Sequence, residues 1–185
     1  MCFLSDSEIK KLISLGRLVI TPFEWDQIRE NGVDLTIGDE IAIPKVGEKI
    51  IDPLDTTTAE LFDLYQHVEI PPEGYLLAPG QCILAHTREY IKMPKNVIAL
   101  ANLKSTLARL GFLIPPTVVD AGFEGQIVIE LCNMHHYIRL HRGMPFLHLV
   151  FARLEDEPEI PYAIRGHYQG QKGVRLANLP LKSYN

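Results

Sequence analysis

Between Asn102 and Asn133 lie the residues whose types and spacing could do chemistry. Lys104-Ser-Thr-Leu-Ala-Arg109 sets two hydroxyls between two cations. Ser105 and Thr106 suit a helix cap, because hydroxyls accept from free N–H groups, and Gly111 tolerates the positive φ that would end a turn running through Leu110. Such a turn, with Lys104 and Arg109 beside it, reads either as a phosphate site or as an ordinary capped turn. Asp120 stands alone on a second turn. Glu130 lies inside Gln126-Ile-Val-Ile-Glu-Leu-Cys132. Strand alternation places Ile127, Ile129 and Leu131 on one face, and Val128, Glu130 and Cys132 on the other. That second face is mostly apolar, so it should partly desolvate Glu130 and lift its pKa toward the range of a general base. The bland alternative is an edge-strand Glu facing water or paired with Arg109.

Asp34 sits in Glu30-Asn-Gly-Val-Asp-Leu-Thr-Ile-Gly38 and reads as a solvated acid beside a turn. His148 follows the Gly143 turn on the Phe146/Val150 face of a strand, where a satisfied core histidine is expected. His167-Tyr-Gln-Gly-Gln171-Lys-Gly is polar and broken by glycine. It suits either a mobile flap, with Tyr168 stacking on a ligand and Gln171 hydrogen bonding to it, or a frayed end. Cys2, Cys82 and Cys132 are odd in number and far apart, which shows no disulfide framework, and Cys132 reads as a small buried apolar residue. The Pro-Cys-x-x-Cys that zinc nucleobase deaminases require does not occur, so no zinc is expected, and there is no Walker loop or dinucleotide fingerprint.

The elements that must position these groups are short. Ser5-Asp-Ser-Glu8 is a capping box ahead of Ile9, Leu12 and Ile13, with Gly16 as the stop, and predicts an N-terminal helix. β-rich runs follow at 18–20, 33–37, 40–43, 75–77, 82–87 and 97–103, and resume at 127–131, 137–140 and 146–152. Thr56–Tyr65 reads as a short helix or a loop. Thirteen Gly and thirteen Pro punctuate the runs, which predicts a mostly β fold, a distorted barrel or jelly roll with small helical turns. The 185 residues suit one domain, and the net charge of −5 argues against a nucleic-acid-coating role. With no apolar run near 18 residues and no signal-peptide pattern, a soluble cytoplasmic protein without a membrane partner is expected.

Taken in order, Leu4-Ser-Asp-Ser-Glu-Ile, Asn31-Gly-Val-Asp-Leu, Lys104-Ser-Thr-Leu-Ala-Arg-Leu-Gly, Val119-Asp-Ala-Gly-Phe, Ile129-Glu-Leu, the Gly143 turn and Tyr168-Gln-Gly-Gln-Lys-Gly resemble the dCTP deaminase/dUTPase superfamily, in its archaeal type. The resemblance covers nearly the whole chain as a single domain, residues 1–185. It implies a dUTPase-like β-clip subunit in a homotrimer with active sites between subunits, and residues 162–185 as a flexible tail closing over the nucleotide. It implies an enzyme that deaminates dCTP to dUTP and ammonia in pyrimidine deoxynucleotide metabolism, because plain dUTPases tend to carry an apolar residue at the position of Glu130.

By the same resemblance Glu130, Ser105 and Arg109 are the catalytic residues. Lys104, Ser105, Thr106, Leu107, Ala108 and Arg109 form the phosphate segment. Asp120 reads the deoxyribose 3′-hydroxyl, and Val128, Ile129 and Glu130 read the base edge. Tyr162, His167, Tyr168 and Gln171 close over the nucleotide. Mg²⁺ is expected to bind through the substrate triphosphate, with no metal ligands from the protein. Two features depart from the family pattern. The Gly111–Asp120 segment is about two residues short, with Pro115-Pro116-Thr117 in place of a His-x-Thr-Ala piece, and His167 stands where a Lys is usual. The short segment also resembles some archaeal-type dUTPases. The alternatives are therefore a dUTP diphosphatase or a bifunctional, dUMP-forming enzyme, with Asp120 or Asp34 activating water. A more distant one is a non-catalytic nucleotide-binding trimer.

Overall fold

The computed structural model describes residues 2–183. The N-terminal capping box forms as its residues dictate: the Ser5 N–H donates to the Glu8 carboxylate at 3.3 Å. The helix runs over Asp6–Ser14, buries Ile9 and Leu12, and ends at Gly16, whose φ is +64°.

Among the described residues, eleven strands form a curled antiparallel sheet. Its main path runs Thr117–Val119, Val97–Leu103, Pro145–Arg153, Gly32–Pro44, Cys82–Lys92, Glu124–Asn133 and Phe112–Leu113. Ile138–Leu140 and Tyr75–Leu77 pair separately. The runs expected at 33–37 and 40–43 are one strand, Gly32–Pro44, with a register shift between Ile37 and Ile41. Its first half pairs with Pro145–Arg153 and its second with Cys82–Lys92 and Tyr65–Glu69. The turn signal at Gly38 reflects a close approach instead: a Cβ there would lie 2.1 Å from the buried His86 ring. Thr56–Tyr65 contains the helix Thr58–Phe62, capped by the Thr57 side chain, which accepts from the Glu60 N–H.

The main core packs Phe112, Phe146 and Phe151 against Leu35, Ile37, Ile129 and Leu131. A smaller cluster joins Ala42 and Leu61 to Val174 and Leu176 of the C-terminal segment. One sequence expectation is overturned here. Cys82 and Cys132 face each other in register across adjacent strands, with Cα atoms 4.0 Å apart, and form a disulfide. Cys132 is therefore not a free apolar side chain, and of the three cysteines Cys2 alone is free. No helix of the described residues is long and apolar enough to cross a membrane.

Candidate active site

The Glu124–Asn133 strand carries Glu130 along one wall of a cleft of about 770 Å³, within the usual range for small-ligand sites. Val128, Asp120, Tyr162, His167, Tyr168 and Gln171 line the same cleft. Ile129 is fully buried in the core, so only its backbone can face a ligand. Along one edge the strand pairs continuously with Cys82–Lys92, apart from a register shift between Gln126 and Val128. On the other edge it pairs with Phe112–Leu113 at Cys132 and Asn133 alone, and is bridged by Gln171 at Gly125. Residues 127–131 thus have one open edge, whose unpaired backbone donors and acceptors can read a planar polar ligand as another strand would be read.

The register shift is held by a side chain. Thr87 Oγ1 accepts the Ile127 N–H at 2.9 Å and donates to the Glu89 carbonyl at 2.8 Å. A bulge of this kind leaves a ladder group unpaired and re-aims the side chains beyond it. The strand still alternates as expected, with Ile127, Ile129 and Leu131 inward and Glu130 outward. The expected desolvation of Glu130 is not seen within one chain: the side chain is exposed. Nor does it pair with Arg109, which is itself exposed and forms no ion pair among the described residues. On this face Val128 is half-buried against the cluster of Ala42, Leu61, Val174 and Leu176, whereas Glu130 stays exposed among the described residues.

Asp120 behaves differently. It keeps exposed surface, yet burial of its carboxyl against the cleft wall pushes its pKa above the usual carboxylate range. Burial likewise raises the Tyr162 phenol, and the nearby Asp120 charge adds to the effect. Tyr162 packs edge-on against Phe123 with ring centroids 5.6 Å apart. Phe123 and Arg165 also line the cleft. Sequence reasoning missed both, although Phe123 directly follows the Asp120-Ala-Gly turn.

The C-terminal segment docks along the site strand. The Gln126 N–H donates to the Gln171 carbonyl at 2.9 Å, and Gln171 Nε2 donates back to the Gln126 carbonyl at 2.6 Å. The Gln171 amide nitrogen is therefore engaged by the protein itself, and the residue is buried. Further on, the Val174 N–H donates to Glu40 Oε1 and the Leu179 N–H to Thr58 Oγ1. The expected closing tail includes residues 184 and 185, which lie outside the described residues.

The Lys104–Arg109 turn lies elsewhere. Its helix spans Ser105–Arg109 and not on to Leu110. Lys104 occupies the cap position, so the Ser105 and Thr106 hydroxyls are not the cap, and Gly111 follows with φ +95°. Leu107 anchors the turn in the main core, leaving Ser105, Thr106, Ala108 and Arg109 exposed. Lys104, Ser105 and Thr106 line a second cleft of about 460 Å³ with Arg29, Asp34 and His148. The two clefts share no lining residue. Ile98 lines the first and Asn102 the second, which separates them by four residues, roughly 13 Å, along one strand.

Asp34 is not the solvated acid expected from its turn. It is 3% exposed. Arg29 Nε donates to Oδ2 at 2.8 Å, Lys104 Nζ contacts the same oxygen, and His148 Nδ1 lies 2.9 Å from Oδ1. Burial alone would raise this carboxyl, but the hydrogen bonds from Lys104, Arg29 and His148 outweigh it and hold the pKa below the usual range. His148 is hydrogen-bonded as expected, but it lies half-buried on the wall of the second cleft and not in the core, because its partner Asp34 is there.

A curled antiparallel sheet with an open strand edge and a carboxylate on the wall of a cleft is a mostly β half-barrel whose cleft can admit a small polar ligand. The profile of the dCTP deaminase-like family matches residues 3–154, and the chain belongs to that family. It is 48% identical to the dCTP deaminase of Ignicoccus hospitalis over 179 residues, covering 97% of this chain and 98% of that one. It is 47% identical to the dCTP deaminase of Korarchaeum cryptofilum, covering 94% and 96%. Among solved structures it resembles the 2′-deoxycytidine 5′-triphosphate deaminase of Agrobacterium tumefaciens in fold, with a TM-score of 0.64 at 22% identity. That match covers 80% of this chain and 47% of the other, so this chain spans about half the length of that protein.

Proposed function

We propose that this protein deaminates dCTP to dUTP and ammonia in pyrimidine deoxynucleotide metabolism. The observation that carries the reading is the open edge of residues 127–131, which shares its cleft with Glu130 and Asp120. The Watson–Crick edge of cytosine presents one donor, the N4 amino group, and two acceptors, N3 and O2, and the N–H and C=O groups of an open strand edge can pair with both kinds. Relatives covering nearly the whole chain are dCTP deaminases.

In the proposed reaction Glu130 takes a proton from a water aimed at C4 as the C4–O bond forms. It passes that proton to the ring nitrogen N3, then takes the remaining proton from the new C4 hydroxyl and gives it to the amine, so that the C4–N bond breaks as the C4 carbonyl forms and ammonia leaves. Asp120 accepts from the 3′-hydroxyl of the sugar. Tyr162 and Tyr168 cover the nucleoside, with His167 and the Gln171 segment at the margin.

Because Ser105 and Arg109 lie outside the Glu130 cleft of their own chain, they complete the site from a neighbouring subunit of a homotrimer. There Ser105 helps to hold the water, Arg109 orients Glu130, and Lys104, Ser105 and Thr106 take the phosphates. The covered face would supply the desolvation that Glu130 lacks in one chain. No group of three or more His, Cys, Asp or Glu among the described residues has metal-holding geometry. Mg²⁺ is assigned in this reading to the triphosphate oxygens, where it would neutralise charge. A free deoxynucleotide substrate places the enzyme in the cytoplasm. The Cys82–Cys132 bond must then persist in a compartment that usually keeps thiols reduced.

The test is incubation with dCTP and Mg²⁺, assaying ammonia and pyrophosphate together, with dUTP in parallel. Ammonia alone supports the reading. Ammonia with pyrophosphate means a bifunctional, dUMP-forming enzyme, and pyrophosphate from dUTP without ammonia from dCTP overturns the assignment of Glu130.

A further inference from the structure

We infer that Arg29 is a second phosphate ligand beside Lys104, and that Asp34 is the positioning residue holding both cations at the nucleotide's phosphate chain. The inference rests on the reading that the Lys104–Thr106 segment binds those phosphates.

Arg29 and Lys104 reach the same carboxylate oxygen, Asp34 Oδ2. Two nitrogens in hydrogen-bond contact with one atom stand no more than roughly 6 Å apart. Two cations that close repel each other, and the arrangement persists because a buried carboxylate lies between them. Asp34 is in turn fixed by His148 on its other oxygen. The Arg29 guanidinium is committed through Nε alone, and its terminal nitrogens make no hydrogen bond or ion pair among the described residues. Its side chain is 51% exposed and lines both the cleft of Lys104, Ser105 and Thr106 and an adjoining one that holds Asp26 and Glu89.

Holding a guanidinium by Nε leaves its two outer NH₂ groups as a fork, the geometry that recognises phosphate oxygens in pairs. Glu30 also lines this cleft, but it is exposed on the hairpin turn and makes no ion pair among the described residues. The cleft wall thus sets two cations, Arg29 and Lys104, against the carboxylates of Asp34 and Glu30, and Asp34 is already engaged by both cations and by His148. A polyanion spanning Arg29 and Lys104 relieves their mutual repulsion from the solvent side, as Asp34 does from the protein side.

The test compares Arg29→Gln, Arg29→Lys and Lys104→Gln by KM and kcat for dCTP, and by binding of unphosphorylated deoxycytidine. Loss of one charge-assisted hydrogen-bonding group corresponds to a rise of about 10- to 100-fold in KM for dCTP. The expected result is such a rise in Arg29→Gln, with kcat nearly kept, deoxycytidine binding unchanged and partial recovery in Arg29→Lys. If Lys104→Gln raises KM and Arg29→Gln leaves it within about twofold, the role of Arg29 is refuted while the underlying reading stands. If neither variant changes KM for dCTP, both fail. An equal loss for deoxycytidine and dCTP in Arg29→Gln also refutes it, because the effect would then not lie at the phosphates.

Discussion

Thr87 Oγ1 receives the Ile127 N–H at 2.9 Å, at the point where the Glu130 strand slips register against its neighbour. A hydroxyl supplied by the adjacent strand thus takes up the donor that the bulge frees, three residues before the site carboxylate. Thr87→Val keeps the shape and removes the acceptor, leaving a buried N–H unsatisfied at a cost of about 1–3 kcal/mol. For a chain of this size each kcal/mol lowers Tm by roughly 2–4 °C. A thermal scan should show that drop, together with a fall in kcat as Glu130 loses its aim. An unchanged Tm would mean that the bulge needs no such support.

Glu130→Gln should lower kcat for dCTP deamination by about 10²- to 10⁴-fold, the usual contribution of a positioned acid–base group. Because the side chain is exposed within its own subunit, the subunit fold should tolerate the change, and a shift in Tm would report the covered interface and not the fold. Ammonia release measured beside a thermal scan separates chemistry from folding. Substantial deamination by the folded variant would remove Glu130 as the base.

Asp34→Asn tests the buried hub. The folded pKa of Asp34 is depressed, so its stabilisation is present above the unfolded value of about 3.9 and is lost as pH falls through the lower folded value. The variant should be less stable at pH 7 by about 1–3 kcal/mol, since half-exposed Arg29 screens part of the pairing. Urea melts at pH 7 and near pH 3 provide the check: the difference between wild type and variant should shrink at the acid end. A gap independent of pH would assign the effect to packing rather than charge.

Reduction of Cys82–Cys132, or its replacement by two serines, should cost about 2–4 kcal/mol, as expected when a bridge closes a long loop. Thiol titration of the unfolded, unreduced protein should find Cys2 alone reactive. Three reactive thiols would show that the bond does not form, and the reductant should then leave Tm unchanged.

Features set by neighbours along the chain were legible in the sequence. The capping box gave the first helix, and the strands at 75–77 and 97–103 fall where their β-rich runs place them. The site strand alternates as read. Features set by distant partners were not. Asp34 looks solvated beside its turn, yet Lys104 and His148, its partners from 70 and 114 residues away, bury it. Cys82 and Cys132 lie 50 residues apart and meet only through strand register. The break read at Gly38 came from counting glycine as a turn, whereas the His86 ring needs the space of a missing Cβ. The Pro115-Pro116 pair likewise masked the short Thr117–Val119 strand behind a loop signal.

The disjoint linings of the two clefts have an arithmetical consequence for mixed oligomers. If each active site takes one cleft from each of two adjacent subunits, a subunit damaged only at Glu130 silences one site. A subunit damaged at both Glu130 and Lys104 silences two. In trimers assembled at random from intact and damaged chains, activity should fall in proportion to the intact fraction in the first case and as its square in the second. The curvature of that titration counts how many subunits each turnover uses.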